Sequence, residues 1–238
     1  MAKKVKNKGK KTKDSIVKTA LTLFTQKGYD STSIDKIIEK LGISKGAFYH
    51  HFDSKNDLLD DVAVLITEME LEEIQPKIDR EGLDAAEKIN KYFELSTLWK
   101  AKNMTAVSQM LNVLLRDENI VLRQKIESRT KSLTTPFFAK VISQGVNEDI
   151  FHVSSPDETA ELILHLCDFF FEKIMLSLTT SGTGNGKPPI NRISRQVHGF
   201  FEAMERILGA KAGTLETHNN ELFVDSVINF GSIFFKKK

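Results

Sequence analysis

The residues from Ser44 to Phe52 combine small, charged and hydrogen-bonding side chains in a pattern suited to contact with nucleic acid. Phe48 and Phe52 are four residues apart, so they would share the buried face of a short helix. Facing outward would be Lys45, Gly46, Ala47, Tyr49 and His50. Small residues let the backbone approach base edges, while lysine, tyrosine and histidine can bind phosphates or bases. The pattern predicts a recognition helix.

A helix just upstream would have to hold this recognition helix in place. Its apolar residues Ile34, Ile37, Ile38 and Leu41 follow helical spacing. Thr32 with Asp35 predicts a capping box at its start, and Gly42 can adopt the left-handed conformation that ends a helix. A helix, a glycine turn and a short helix together predict a helix-turn-helix motif, whose second helix enters the major groove of DNA.

Groups on both sides of the motif could bind the DNA backbone. Thr32 and Ser33 stand at a helix start, where their hydroxyls could donate to phosphate. Ser54 and Asp57 predict a capping box for a further helix, and Lys55 lies in its first turn, where amides and the helix dipole favour an anion. The predicted DNA-binding residues are Thr32, Ser33, Ser44, Lys45, Gly46, Ala47, Tyr49, His50 and Lys55.

This stretch resembles the DNA-binding signature of the TetR (tetracycline-repressor-like) family. The matching features are Phe24, Gly28-Tyr29, Thr32-Ser33, Ile37, Leu41-Gly42-Ile43-Ser44, Gly46, Phe48-Tyr49-His50-His51-Phe52, Ser54-Lys55 and Leu58-Leu59. The chain departs from the family at Ile38-Glu39-Lys40-Leu41, where small alanines are common. The resemblance implies a dimeric DNA-binding regulator whose C-terminal helical domain binds a small molecule and then releases DNA.

Charge and cysteine content narrow the class of protein. The chain of 238 residues has a net charge of +2, but residues 1–60 hold 13 lysines and 7 acidic residues, which leaves −4 for the remainder. A basic N-terminal part fits contact with nucleic acid. Cys167 is the single cysteine, which excludes an intramolecular disulfide, and it is expected to lie in the core. With no signal peptide and no transmembrane-length apolar run, we expect a cytoplasmic protein without a membrane partner.

The apolar periodicity predicts an all-α fold, in which an N-terminal three-helix DNA-binding domain precedes a helical ligand-binding and dimerisation domain. The expected divisions are a disordered basic arm (1–13), the helix-turn-helix domain (14–53), a connecting helix ended by Pro76 (54–76), the ligand-binding and dimerisation domain (77–210) and a C-terminal extension (211–238). The arm could follow DNA phosphates or remain a solvated tail. The extension could be an extra helix or an amphipathic surface segment.

The later helices carry the predicted pocket and dimer interface. The pocket residues, for an apolar or aromatic effector, are Trp99, Met104, Met110, Phe137, Phe138, His165, Phe169 and Met175. Each of these could instead belong to the plain core, which commonly uses aromatic and Met residues at helical spacing. In the family, the last two long helices form the dimer interface, which the resemblance implies here for Leu162, Leu166, Phe170, Ile193, Val197, Phe200 and Met204.

Three classes of function were weighed. The leading hypothesis is a repressor that binds a palindromic operator as a homodimer and is released by a small molecule. An alternative is a helical adaptor for a protein partner, with a vestigial DNA-binding motif. No nucleophile motif, cofactor fingerprint or metal-ligand cluster supports an enzyme, so we expect no catalytic residues and no cofactor.

Overall fold

The computed structural model describes residues 2–79, 82–180, 190–215 and 224, with side chains described from residue 9 onward except at 175–180 and 190. All regular structure in these residues is helical, and they contain no strand. In chain order the α-helices are α1 (Ala2–Lys27), α2 (Ile34–Leu41), α3 (Lys45–Tyr49), α4 (Lys55–Ile78), α5 (Ala85–Lys102), α6 (Met104–Leu114), α7 (Ile120–Asn147), α8 (Pro156–Thr180) and α9 (Ile190–Leu208). A short 3-10 helix at Asp117–Asn119 precedes α7. The predicted all-α fold class is confirmed.

The chain divides into two compact units. Unit 1 comprises Met1–Met69 and Asn103–Thr130, and unit 2 comprises Glu70–Lys102 and Lys131–Lys238. The prediction of one C-terminal domain over 77–210 differs from this division at 103–130, which belongs to unit 1. The physical reason is that α6 packs on α1 inside unit 1, where Val107, Val113 and Leu114 become buried.

Helix α1 is longer than the sequence pattern predicts. Its second half supplies the core of unit 1 through Ile16, Ala20, Leu23 and Phe24, all at most 4% exposed. The prediction of disorder over 1–13 is wrong for residues 2–13, which continue this helix to Ala2. Lysine and alanine are good helix formers, and extending an existing helix costs far less than nucleating a new one.

Helix α4 continues past Pro76, where the sequence predicted its end. Proline removes its own amide donor and crowds the carbonyl four residues earlier, but the amides that follow it remain available to the helix. Asp79 N donates to Gln75 O at 2.9 Å. Ile74 and Ile78, one turn apart and almost fully buried, hold the last turn in the core of unit 2.

The core of unit 2 contains a cluster of aromatic rings. The Tyr92 ring stacks on Phe137 at a centroid distance of 5.3 Å and meets Phe138 edge-on at 4.9 Å. Phe93 is edge-on to Phe200 at 5.6 Å, and Phe200 stacks on Phe170 at 4.4 Å. Such ring pairs add roughly 0.5–1.5 kcal/mol each beyond the area they bury, so α5, α7, α8 and α9 are joined by this cluster.

The helices α8 and α9 pack against each other within unit 2 and differ in what they leave exposed. On α9, Ile193, Val197 and Met204 are 0% exposed and Phe200 is 4% exposed. The prediction that these four residues form a dimer interface is therefore wrong for the chain as it is folded, because the apolar face of α9 covers its own unit. On α8, by contrast, Leu162 is 58% exposed, and Leu166 and Phe170 are partly exposed.

The C-terminal part of the chain is described only in part. The predicted loop at 179–189 and most of the predicted extension, 216–223 and 225–238, lie outside the described residues. Within them, Leu215 is buried and its amide donates to Glu205 Oε1 at 2.8 Å. A search of the described helices finds none with the length and apolar character needed to cross a membrane.

Candidate nucleic-acid interface

The turn between α2 and α3 is built by residues with special backbone roles. The Oγ of Ser33, which caps α2, accepts from Lys36 N at 3.3 Å. Gly42 has a φ of 63° and ends α2 in the left-handed region, where L side chains are strained. Ser44 caps α3, and its Oγ accepts from Ala47 N at 3.1 Å. The predicted helix, glycine turn and short helix are confirmed, with Ser33 instead of Thr32 as the cap of α2.

The short helix α3 presents one buried and one exposed face. Phe48 is 0% exposed and Phe52 2% exposed, with ring centroids 5.8 Å apart. Tyr49 is 52% exposed, and His50 at the end of the helix is also exposed. Lys45 and Gly46 are exposed and Ala47 is partly exposed. This buried pair of rings fixes the helix, so the outward side chains keep a defined direction.

Thr32, predicted to donate to phosphate, is 0% exposed. Its hydroxyl donates to Gly28 O at 2.8 Å and lies 3.4 Å from Leu23 O. The prediction of a DNA contact is therefore wrong for Thr32. Its side chain satisfies carbonyls at the end of α1 and so ties α1 to the start of α2, whereas the neighbouring Ser33 is exposed.

Lys55, also predicted to bind phosphate, directs its ammonium into unit 1. The Nζ donates to Tyr29 O at 2.9 Å and to Thr32 O at 3.1 Å, and it lies 4.0 Å from the centroid of the Tyr29 ring. Burial lowers its pKa, with opposing effects from Asp30 and Arg116. The side-chain prediction is wrong, because carbonyls and a ring occupy the ammonium. The start of α4 is capped as predicted, because Ser54 Oγ accepts from Asp57 N at 3.0 Å.

Lys45 is the one lysine on α3, and it forms an ion pair with an acidic residue. Its Nζ lies 2.8 Å from Asp35 Oδ1, and both side chains are about two-thirds exposed. The hydrogen bond to Asp35 raises the pKa of Lys45. An exposed pair of this kind contributes little to stability, so the lysine can exchange Asp35 for a phosphate at small cost.

Two sets of ion pairs stabilise unit 1 beside the helix-turn-helix. Neither was predicted from the sequence. Arg116, just after α6, forms a forked pair with Asp30 in the turn before α2, at 3.1 and 2.5 Å. That hydrogen bond lowers the pKa of Asp30. The two residues are 86 positions apart, so no local pattern could have indicated the pair.

The second set involves an acidic cluster on α4, formed by Asp60 and Asp61. Asp60 is 1% exposed, and its Oδ2 lies 2.8 Å from both Lys125 Nζ and Arg129 Nη1. Asp61 lies 2.6 Å from Lys13 Nζ of α1 and 2.8 Å from Arg129 Nη1. The cluster therefore joins α1, α4 and the first part of α7. A buried aspartate cannot be recognised from sequence alone, although its partners are ordinary helix residues.

The residues predicted to line one effector pocket are not brought together in one unit. Met104 and Met110 belong to unit 1, where Met110 lines a small cleft with α1 and α4 residues that has room for about one water molecule. In unit 2, Trp99, Phe137 and Phe138 are buried, whereas His165 and Phe169 are exposed on α8. The side chain of Met175 lies outside the described residues. The prediction of a single pocket is wrong for this set, since the rings of Phe137 and Phe138 belong to the aromatic core.

His165 and Asp168 do have a polar setting on α8. Lys131 Nζ lies 2.8 Å from Asp168 Oδ2 and 3.1 Å from His165 Nδ1. Burial raises the pKa of the nearby Cys167 thiol to about 12, so this thiol is protonated at neutral pH. Among the described residues, no three His, Cys, Asp or Glu side chains are grouped as a metal site.

Two family models match this chain. Residues 16–62 match the model described as bacterial regulatory proteins of the tetR family, and residues 102–180 match the tetracyclin repressor-like C-terminal domain. The first match spans the whole helix-turn-helix, the second half of α1 and the start of α4. The second begins at the end of α5 and ends with α8.

Curated relatives match over a short part of the chain. The HTH-type transcriptional regulator AcrR of Shigella flexneri is 41% identical over 76 residues, which is 30% of this chain and 35% of AcrR. The negative transcriptional regulator IcaR of the biofilm operon in Staphylococcus aureus is 46% identical over 48 residues, which is 20% of this chain and 26% of IcaR. The chain thus matches about a third or less of the length of these relatives.

Solved structures share the fold over most of the chain. A TetR-family transcriptional regulator from Pectobacterium atrosepticum superposes with a TM-score of 0.58 at 19% identity, covering 85% of this chain and 96% of the other. The transcriptional repressor QsdR of R. erythropolis gives a TM-score of 0.57 at 15% identity, covering 87% and 98%. These structures share the fold, and the two family models, which match residues 16–62 and 102–180, identify the chain as a member of the TetR family of DNA-binding transcriptional regulators.

Proposed function

We propose that this regulator is a repressor that binds a palindromic operator as a homodimer and is released by a small apolar or aromatic molecule. The observation that carries the proposal is the exposed face of α3, held rigidly by the buried Phe48 and Phe52. A short helix with one anchored and one exposed face is the element that enters a major groove in a helix-turn-helix protein. IcaR is named a negative regulator and QsdR a repressor, which supports repression here.

The proposed DNA contacts follow from which side chains the fold leaves exposed. Tyr49 and His50 would meet base edges or phosphates, and Lys45 would exchange Asp35 for a phosphate. Gly46 and Ala47 would let the helix approach the bases. Ser33 and Ser44 would add hydroxyl or amide donors at the starts of α2 and α3, and Lys55 would contribute through its backbone amide at the start of α4.

The proposed dimer surface is the exposed apolar face of α8. Leu162 and Phe169 are 58% and 56% exposed, seven residues apart on the same side of the helix, with the partly exposed Leu166 between them. A second copy of this face would cover them, as expected for a self-complementary two-fold contact.

Release by an effector requires a conformation with a lower affinity for DNA. A ligand favours release only by the difference in its affinity for the two conformations. Helix α7 contributes residues up to Thr130 to unit 1 and from Lys131 onward to unit 2. We propose that a ligand bound in unit 2 acts along α7 on Lys125 and Arg129, and so on the Asp60 and Asp61 cluster. The regulator would act in the cytoplasm.

The test is operator binding by Tyr49→Ala. The DNA flanking the gene of this chain would be titrated at physiological salt with excess competitor DNA, in a gel-shift assay. We expect a specific shift with the wild type and its loss with Tyr49→Ala. Because Tyr49 is half exposed, the free energy of unfolding should fall by only about 0.5–1.5 kcal/mol, the contribution of its edge contact with Phe48.

Two controls make the result specific. Tyr49→Phe keeps the ring that lies 5.4 Å from the Phe48 ring and removes only the hydroxyl. Val121→Ala truncates an apolar side chain that is 74% exposed on α7 and should leave binding unchanged. Unchanged operator affinity in Tyr49→Ala would contradict the assignment of α3 as the recognition helix. A dimer with no affinity for any selected DNA would favour the adaptor alternative.

A further inference from the structure

The helix-turn-helix, taken with the second half of α1 and the start of α4, carries no excess positive charge of its own. Residues 16–60 contain six lysines and six acidic residues. Of the lysines, Lys45 is paired with Asp35 and Lys55 is turned toward the carbonyls of Tyr29 and Thr32. Binding to DNA nevertheless depends strongly on cations that neutralise phosphates. Cations outside residues 16–60 would therefore add to the small contribution that these lysines can make.

The first half of α1 holds that charge. Residues 2–15 contain seven lysines and one acidic residue, and they form a continuous helix with the second half of α1. None of the described side chains from 9 to 15 is buried, and Lys10 and Lys11 are exposed. Residues 9–15 therefore do not serve the core of unit 1, whose buried residues on α1 begin at Ile16.

The helix lies beside the end of the recognition helix. A Cβ built on Gly9 would be 4.0 Å from His51 Cε1, and Lys13 Nζ lies 5.3 Å from the centroid of the Phe52 ring. The same Lys13 forms a 2.6 Å ion pair with Asp61 at the start of α4. Lys13 thus anchors this half of α1 next to the two residues that follow His50, at the same end of unit 1 as the exposed α3 face.

The composition of this half works against its own stability as a helix. Its first turn contains no acidic residue, and lysines near a helix N-terminus oppose the helix dipole. Gly9 costs about 1 kcal/mol relative to alanine inside a helix. A negative partner along the helix would compensate both the repulsion among lysines and the unfavourable dipole.

We propose that the first half of α1 is a second DNA-binding element, which binds the phosphates of duplex DNA flanking the bases read by α3. Lys10 and Lys11 contact phosphates, and Lys13 holds the helix in position through Asp61 and Phe52. The proposal rests on operator binding as proposed above. It adds that most of the salt-dependent part of the affinity resides outside the helix-turn-helix.

The experiment measures the affinity of the full chain for a duplex selected in vitro by the wild type, between about 50 and 200 mM salt. The double variant Lys10→Gln/Lys11→Gln should reduce the slope of log affinity against log salt by about 2, since each lost phosphate contact removes about 0.9. The matched control is Lys18→Gln/Lys27→Gln, two exposed lysines in the second half of the same helix, and it should keep the wild-type slope. An unchanged slope in the first variant, or an equal loss in both, would overturn the proposal.

A second pair of variants tests whether the first half of α1 must be helical, while its charge is kept unchanged. Gly9→Pro retains every lysine but interrupts α1, and we expect it to lower the slope. Gly9→Ala keeps the helix and places its methyl at an ordinary distance from His51, so binding should be retained or improved. Wild-type behaviour of Gly9→Pro would show a flexible basic tail and overturn the helical element. If the wild type selected no sequence at all, the proposed function itself would fail, which is a separate outcome.

Discussion

Tyr29 connects three parts of the DNA-binding unit through a single side chain. Its hydroxyl donates to Asn56 Oδ1 at 2.5 Å, its ring lies under the Lys55 ammonium, and its edge meets Phe24 at 5.0 Å. Burial raises its pKa to about 12, with a further contribution from Asp30. The phenol therefore stays protonated at neutral pH and keeps its role as a donor to α4. At the scale of residues, the groups that hold α2 and α4 in place are distinct from the exposed groups on α3.

Thr32 allows this distinction to be tested. Thr32→Val keeps the shape of the side chain and removes a buried hydroxyl that donates to Gly28 O. Leaving that carbonyl without its donor should lower the free energy of unfolding by about 1–3 kcal/mol, measured by chemical denaturation. The operator affinity of the folded variant should not change, because no phosphate contact is lost. A reduced operator affinity with unchanged stability would instead restore Thr32 as a phosphate donor. Ser33→Ala, one residue later and exposed, is the matched comparison and should cost roughly 1 kcal/mol as a lost helix cap.

At the scale of elements, ion pairs set the position of α4 relative to its neighbours in unit 1. Asp61 receives Lys13 from α1 and Arg129 from α7. Burial alone would raise the pKa of Asp61, but the hydrogen bonds from Lys13 and Arg129 prevail and lower it. A carboxyl with a lowered pKa stabilises the fold at pH values above its ordinary value, and this contribution disappears as the pH falls through the lowered pKa.

Because the pKa of Asp61 is lowered, the effect of Asp61→Asn should depend on pH. At neutral pH the free energy of unfolding of the variant should be lower than that of the wild type by about 1–3 kcal/mol. The difference should shrink below the ordinary pKa of 3.8 and vanish once Asp61 is protonated in the folded wild type. Denaturation curves collected across this range would show it. Asp14→Asn, an exposed acid on α1, should show no such convergence. A difference independent of pH would contradict the ionic role of Asp61.

Two helical glycines give a second prediction for elements. A Cβ on Gly145 of α7 would lie 2.1 Å from Cδ2 of the fully buried Phe151, so Gly145→Ala must displace that ring. Overpacking of this kind should lower the free energy of unfolding by about 1–3 kcal/mol or more. Gly199→Ala on α9 meets nothing within 4 Å and should raise it by up to about 1 kcal/mol. Thermal unfolding measures both. Equal effects at the two sites would contradict the packing of Phe151 on α7.

At the scale of the whole molecule, the exposed face of α8 bears on assembly. Unit 2 already buries the apolar face of α9 in its own core, so α9 cannot supply that face to a second copy. Among the described side chains of α8, the exposed apolar ones are Leu162, Phe169 and, at 37%, Phe171. A dimer would place two copies of α3 on one DNA duplex, and the separation of the half-sites would then follow from the α8 contact.

The double variant Leu162→Gln/Phe169→Gln should weaken the dimer. Both side chains are more than half exposed in the single chain, so the fold should survive. Losing their burial on both copies should raise the dimer dissociation constant at least about 100-fold, measured by sedimentation equilibrium. Operator affinity should fall with it, because two half-sites would no longer be bound as one. Val121→Gln, an apolar residue more exposed than either but located on α7, should not affect the dimer. A double variant that remained fully dimeric would place the interface elsewhere.

The local signals in the sequence were sufficient for the all-α fold and for the helix-turn-helix. Ile34 to Leu41, Gly42 and Ser44 act within one or two helical turns, so their spacing predicts where α2 ends and α3 begins. The outward residues of α3 could be named for the same reason, since Phe48 and Phe52 determine which side is buried. The seven lysines before Ile16 were also evident, but whether they formed a helix was not.

The tertiary structure decided what depends on residues distant in the chain. Thr32 and Lys55 have the chemistry of phosphate ligands, yet they face carbonyls at Gly28, Tyr29 and Thr32, and only the packing of α1, α2 and α4 shows this. The placement of α6 in unit 1, the Arg116 to Asp30 pair and the burial of the α9 apolar face likewise depend on contacts between separate elements. Helical periodicity identifies an apolar face, but it does not say whether that face covers the core of the same chain or meets a partner.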